Sequence, residues 1–172
     1  SNMTGVVKDI TISPLVPDNA TNKEETFYQN TKWNEQYATF LETDDFQQAL
    51  IMQSIWTVGK GFVADPETTV ILDHVTGWGK DSFHDVIFNQ NLVSKLAGDS
   101  FAEIIKDEDS NILLNLKPID PGTMKIVCDK QGIIKRYEHS AVDGKIIKFE
   151  PREIFHLTNL RIAGQIHGIS VL

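Results

Sequence analysis

At Gly98 the hydrophobic rhythm of the chain changes, from apolar residues recurring about every 3.6 positions to apolar residues at every second position. Any fold open to this chain therefore has a helical part first and a β part after it. Upstream, Ser82 and Asp85 have the spacing of a capping box, in which the Ser oxygen accepts a backbone N–H and the acid returns a bond. Phe83, Val86, Ile87, Val93, Leu96 and Ala97 form one stripe behind it, broken at Gln90. His84 lies off that stripe and reads as exposed, and Gly98 suits the left-handed residue that ends a helix. Downstream, Phe101 to Lys106 and Ile112 to Leu116 read as antiparallel strands, because the polar link 107–111 is long enough only for a hairpin. Pro118 to Gly122 turns a corner. Met124 to Cys128 and Ile133 to His139 form a second hairpin, and Lys145 to Phe149 adds a strand. Glu150 to Glu153 reads as a helical turn and Ile154 to Leu157 as extended chain. The fold class expected is α+β, with two to three helices packed on an antiparallel sheet of short hairpin-linked strands.

The segment before residue 82 is less regular. Phe46, Ala49, Leu50, Met52, Ile55, Trp56 and Val58 make a helix that Thr43 or Asp44 caps and Gly59 and Gly61 close. Its apolar content runs nearly all round, which implies burial on more than one side. Asp65-Pro66 reads as a turn, Val70 to Leu72 as a short strand, and Gly77-Trp78-Gly79 as a bend with Trp78 packed onto the core. Residues 1–40 read as a flexible arm, with Pro14, Pro17 and a polar run from Asp18 to Lys32. Within it Val6 to Ile12 suits an edge strand, and Ser1-Asn2 before Met3 reads as the remnant of tag cleavage. Residues 41–172 then form one domain.

The chemistry of catalysis is poorly represented. His74, His84, His139, His156 and His167 are scattered, without the i, i+4 pair of a helical zinc site, and the single Cys128 supplies neither a zinc knuckle nor a disulfide. Cys128 reads as buried packing at a strand end, suited to a reducing compartment. Gly59-Lys60-Gly61 is too short for a phosphate loop, and no nucleophile elbow occurs. Asp107-Glu108-Asp109-Ser110-Asn111 places oxygen ligands at alternate positions, yet it lacks the Gly and final Glu of a calcium loop and reads as a hydrated hairpin tip. Asp44-Asp45 reads as a helix start with a favourable dipole. No catalytic, cofactor-binding or metal-binding residue is assigned. Net charge −8 excludes broad binding to phosphate backbones. Lys130, Lys135, Arg136, Lys145 and Lys148 alternate with acids as on a solvated sheet face. No apolar run approaches the ~18 residues of a membrane span.

From Gly98 onward the order of features resembles the tailed-phage portal protein family. The resemblance rests on Gly98-Asp99-Ser100-Phe101 with the Glu-Ile-Ile strand after it, and on the corner Leu116-Lys117-Pro118-Ile119-Asp120-Pro121. It continues in the Tyr-bearing strand Arg136-Tyr137-Glu138, in Pro151-Arg152-Glu153-Ile154-Phe155-His156, and in Gly168-Ile169-Ser170, where a helix opens with Ser170 as its cap. The helix from Phe46 also resembles an early buried helix of that family. Two departures stand out: Ser100-Phe101 replaces an aromatic-first order, and the chain stops where members continue into stem and crown, so a truncated wing-region fragment is expected. The resemblance implies a structural ring subunit, usually one of twelve, at the capsid vertex, and not an enzyme. It implies a virion protein, present in host cytoplasm during assembly, whose partners are further subunits, terminase, capsid or scaffold protein and a head-completion adaptor. Double-stranded DNA passes the assembled channel without being gripped by this part, and the arm orders on a neighbour. From the residues alone two other readings stand beside it: a small metal-dependent hydrolase using Asp107, Asp109 and a histidine, and a stand-alone protein-binding module.

Overall fold

A computed structural model describes residues 25–172. Its centre is α4 (Phe83–Ala97), which begins at the capping box: Asp85 N–H donates to Ser82 Oγ at 3.2 Å and Ser82 N–H to Asp85 Oδ2 at 2.9 Å. Gly98, at φ 90°, ends the helix in a conformation that favours glycine, and β2 (Asp99–Lys106) leaves at once. β2 pairs antiparallel with β3 (Leu113–Ile119) through the expected hairpin. Asp120 then caps a 3-10 turn at Pro121–Thr123, accepting Gly122 N–H at 2.7 Å. Three more strands follow, β4 (Met124–Cys128), β5 (Ile134–Ser140) and β6 (Ile146–Phe149), β5 pairing antiparallel with β4 and β6 with β5. A second 3-10 turn at Pro151–Glu153 leads into β7 (Ile154–Thr158).

The strands form two sheets where one was expected. The Pro118–Gly122 corner directs β4 away from β3, while β7 returns to the free side of β2, with Ala102 opposite Phe155. The three-stranded sheet runs β3-β2-β7. The other runs β1-β4-β5-β6, where β1 (Thr26–Gln29) places Phe27 opposite Val127. Phe101 and Ile154 from one sheet and Met124, Ile126, Cys128 and Tyr137 from the other make the principal core. Val75, Val86 and Leu116 bind α4 to β3, and Phe40, Leu50 and Leu96 bind the helices together.

Several features differ from expectation. β1 and α1 (Trp33–Glu42) lie within residues 1–40, which the sequence presented as an arm. Trp33, Tyr37, Phe40 and Leu41 are spaced for a helix, and Phe40 reaches the core. Glu25 fastens the start of β1, accepting Arg136 Nη1 and Nη2 at 2.9 Å each. The edge strand expected at Val6 to Ile12, and the prolines of the arm, lie outside the described residues. Val70 to Leu72 is helical, within α3 (Pro66–Asp73): Asp65 is its N-cap, accepting Thr68 N–H at 3.0 Å, and Pro66 occupies the first helical position, where its missing N–H costs nothing. α2 (Asp44–Val58) buries only the side bearing Leu50 and Ser54. Trp78 is 69% exposed instead of packed on the core, and His84 is half-buried with Nε2 3.2 Å from Gly59 O.

Candidate functional site

The motifs that stand apart in the sequence meet in one buried junction. β2 opens with Asp99, whose side chain is 2% exposed, and β7 brings His156 beside it, Nε2 lying 2.8 Å from Asp99 Oδ1. The tautomer protonated at Nε2 lets the Asp99 carboxyl accept and leaves Nδ1 free to accept in turn. Nδ1 then accepts the Tyr137 hydroxyl of β5 at 3.1 Å. Phe101 stacks on the imidazole at 4.6 Å between ring centroids. Burial first, and then the charges of Cys128 and Asp99, push the Tyr137 phenol up to about 12. A buried, neutral phenol beside a buried imidazole joins the two sheets and offers no nucleophile to a substrate.

The carboxy-terminal stretch closes this junction. Gly168 N–H donates to the same Asp99 Oδ1 at 2.9 Å. The approach is so close that a Cβ on Gly98 would stand 2.7 Å from Gly168 O, and one on Gly168 would overlap Gly98 O and the Asn159 backbone. Helix ends leave carbonyls without intrahelical partners. Here Lys95 O accepts Val171 N–H at 3.0 Å, Leu96 O the Ser170 hydroxyl at 2.7 Å, Ala97 O the Asn30 amide at 3.1 Å, and Gly98 O Asn159 N–H at 2.8 Å. Ser170 Oγ also accepts Leu172 N–H at 3.0 Å, the bond an N-cap serine makes. Gly98-Asp99, Tyr137, His156 and Gly168-Ile169-Ser170 are thus one another's partners.

The other candidates are dispersed. Asp107 Oδ1 accepts Ser110 N–H and the Ser110 hydroxyl at 2.8 Å each, bonds that hold its carboxyl below the usual range and close the hairpin tip. Asp107, Asp109 and a histidine are not brought together: among the described residues no three His, Cys, Asp or Glu side chains gather as a metal ion requires. His167 stacks on Tyr28 at 3.7 Å instead. Cys128 is fully buried, its thiol pushed up to about 11 by burial and by Asp129. Of the basic residues, Lys135 and Arg136 pair with Glu25, and Lys145 with Asp143. Among the described residues no helix is long and apolar enough to cross a membrane.

Among the described residues, two exposed surfaces carry a tryptophan. Trp78 is held out on the Gly77–Gly79 bend, its indole N–H donating to Pro118 O at 3.0 Å and the Lys117 ammonium 4.2 Å above its ring. Beside it an open cavity of about 470 Å³ is lined by Asp81, Asp85, Phe88, Asn89 and Leu92. Asp81 accepts Trp78 N–H and Asp85 caps α4, so both acids already hold local structure. The second surface is the outer side of α2, where Trp56 is 78% exposed.

No protein-family model matches the sequence, and no curated protein matches it. Solved structures do match in fold. A chain of the virion of a native gene transfer agent particle superposes with a TM-score of 0.69 at 13% identity, over 81% of this chain and 38% of that one. Two further structures are the neck of the empty particle, computed with C6 symmetry (TM-score 0.63, 13% identity, 80% and 38% covered), and the neck of the native particle, computed with C12 symmetry (0.56, 14%, 79% and 38%). The likeness is one of fold. The chain spans about two fifths of the length of these neighbours. Asp99, His156 and Tyr137 escaped the sequence reading as partners, although each stood in or beside a motif already singled out.

Proposed function

We propose that this chain is the wing part of a portal ring subunit in a phage or prophage head, an architectural piece with no catalytic step of its own. The observation that carries the reading is the fold shared with chains from the virion and the neck of gene transfer agent particles, of which this chain matches 38%. The buried junction supports it, because the residues that resemble the portal family are those that hold the two sheets, α4 and the carboxy-terminal stretch together. On this reading the ring passes double-stranded DNA during packaging and ejection. Terminase, capsid or scaffold protein and a head-completion adaptor dock on its outer faces. A net charge of −8 suits a part set away from the channel, since an acidic surface does not hold phosphate backbones. Deleting the gene from its phage should yield heads without packaged DNA, restored by supplying the gene in trans. Heads filled to the normal extent without it would refute the proposal.

A further inference from the structure

Among the described residues Asp99 alone of the acids is buried, and its two oxygens are used unequally. Oδ1 lies 2.8 Å from His156 Nε2 and accepts Gly168 N–H at 2.9 Å, two partners that take up its lone pairs. Oδ2 is buried and has no hydrogen-bond partner among the described residues. A proton arriving on Asp99 therefore has only Oδ2 to occupy. There it makes a buried O–H with nothing to receive it, and it discharges the acceptor that Gly168 N–H uses; both effects weaken the closed arrangement. With the carboxy-terminal stretch lifted, the same carboxyl meets water and takes the proton without either penalty. The open form binds protons more readily, so falling pH moves the balance towards it. The other bonds of the stretch, Val171 N–H to Lys95 O, the Ser170 hydroxyl to Leu96 O and Ile169 N–H to Asn159 O, join neutral groups and require Gly168 to be seated against Gly98.

We propose that Asp99 is an acid-sensitive latch: as a carboxylate it holds Gly168, and on taking a proton it lets residues 168–172 leave α4 while the two sheets stay packed. The inference goes beyond the portal reading and holds whatever larger assembly the chain joins. The other ionisable groups around the junction do not share this response. Tyr28 of β1 is pushed up to about 12 by burial and then by the charge of Asp99, and Tyr137 and Cys128 are pushed up too, so all three stay neutral in acid. A proton on His156 goes to Nδ1, where the Tyr137 hydroxyl turns to accept it, and the contact with Asp99 becomes an ion pair. His167 stacks on Tyr28, its Nδ1 2.9 Å from Gly168 O. Towards β2, α4 presents Gln90, whose amide donates to Phe101 O; Lys95 on its last turn and the exposed Arg161 keep their charge throughout. The exposed Asp120 follows the end of β3 and is engaged by Gly122 N–H. Glu103 and His139 lie further along β2 and β5, both partly exposed.

Amide exchange followed by NMR on this chain tests the latch. At neutral pH Gly168, Ile169 and Val171 should be protected. On acidification their protection factors should fall about tenfold or more, while Ile126, in the core of the other sheet, keeps its own. The Asp99 carboxyl carbon and the Gly168 amide proton should change resonance at one shared midpoint. Asp99→Asn keeps the size and removes the charge, so its three amides should be as poorly protected at neutral pH as in acidified wild type, with no further response to acid. His167→Phe keeps the stack on Tyr28 and should respond as wild type does. Loss of protection at Ile126 together with the three amides would overturn the inference, because acid would then be unfolding the whole domain. So would a Gly168 midpoint different from that of the Asp99 carboxyl, a comparison made in the wild type that needs no variant to fold. An acid response kept by Asp99→Asn, or abolished by His167→Phe, would overturn it as well by placing the decisive proton elsewhere.

Discussion

Gly168→Ala should destabilise the protein more than its size suggests. No positive φ is involved, so the penalty is steric: the new methyl meets Gly98 O, Asn159 O and Asn159 N, all backbone atoms that cannot rotate aside. Overpacking of this kind costs about 1–3 kcal/mol. Relief by lifting the carboxy-terminal stretch loosens the Gly168 N–H bond to the Asp99 carboxylate, and hydrogen bonds to charged groups are worth about 1.5–3 kcal/mol. Whichever way the clash is met, a loss of about 1.5–3 kcal/mol follows, equivalent to a melting temperature lower by roughly 3–12 °C in a chain of this length. Urea denaturation followed by tryptophan fluorescence measures it as a shifted midpoint at unchanged slope. Gly164→Ala is the control, since a Cβ there has no atom within 4 Å, and it should stay within about 0.5 kcal/mol of wild type. If the two variants fall within about 1 kcal/mol of each other, the close packing of Gly98 against Gly168 is not what holds the junction.

Tyr137→Phe removes the donor to His156 Nδ1 while keeping the ring, and should cost about 1 kcal/mol in the same denaturation experiment. Glu25 is held down at about 2, from an ordinary 4.5, by the hydrogen bond from Arg136 and then that from Lys135. A depressed carboxylate contributes stability above its unfolded value and loses it as pH falls through its folded value. The melting-temperature gap between wild type and Glu25→Gln should therefore be full above pH 4.5 and close towards pH 2. The gap should be small, because the group is partly exposed to solvent. Cys128, buried and pushed up to about 11, should resist a thiol reagent at neutral pH until denaturant unfolds the chain.

The local β architecture was legible in the sequence because hairpins are local: the links 107–111, 129–132 and 142–144 are too short for anything else. The capping box at Ser82 and Asp85 was legible for the same reason, its partners lying three residues apart. Features set by distant partners were hidden. β7 pairs with β2 across some fifty residues of chain and splits the expected sheet in two, and no spacing rule announces that return. α3 was hidden by a run of β-branched residues, with Asp65-Pro66 read as a turn although the same pair also caps a helix. α1 was visible in the spacing of Trp33, Tyr37 and Phe40 but was masked by its polar surroundings. Trp78 resembles a core residue in composition, yet its two glycines at positive φ turn it outward onto Pro118 and Lys117. For the junction, the sequence displayed Gly98-Asp99, His156 and Gly168-Ile169-Ser170 as separate motifs; that they are mutual partners is a fact of tertiary structure.

On the portal reading, this fold serves as one repeat of a closed ring. Electron microscopy of the purified whole gene product tests it most directly. Class averages should show rings of rotational symmetry, twelvefold or close to it, with an open central channel and this α+β domain on the outer rim. A product that stays monomeric at every concentration, or rings whose channel is lined by this domain, would contradict it.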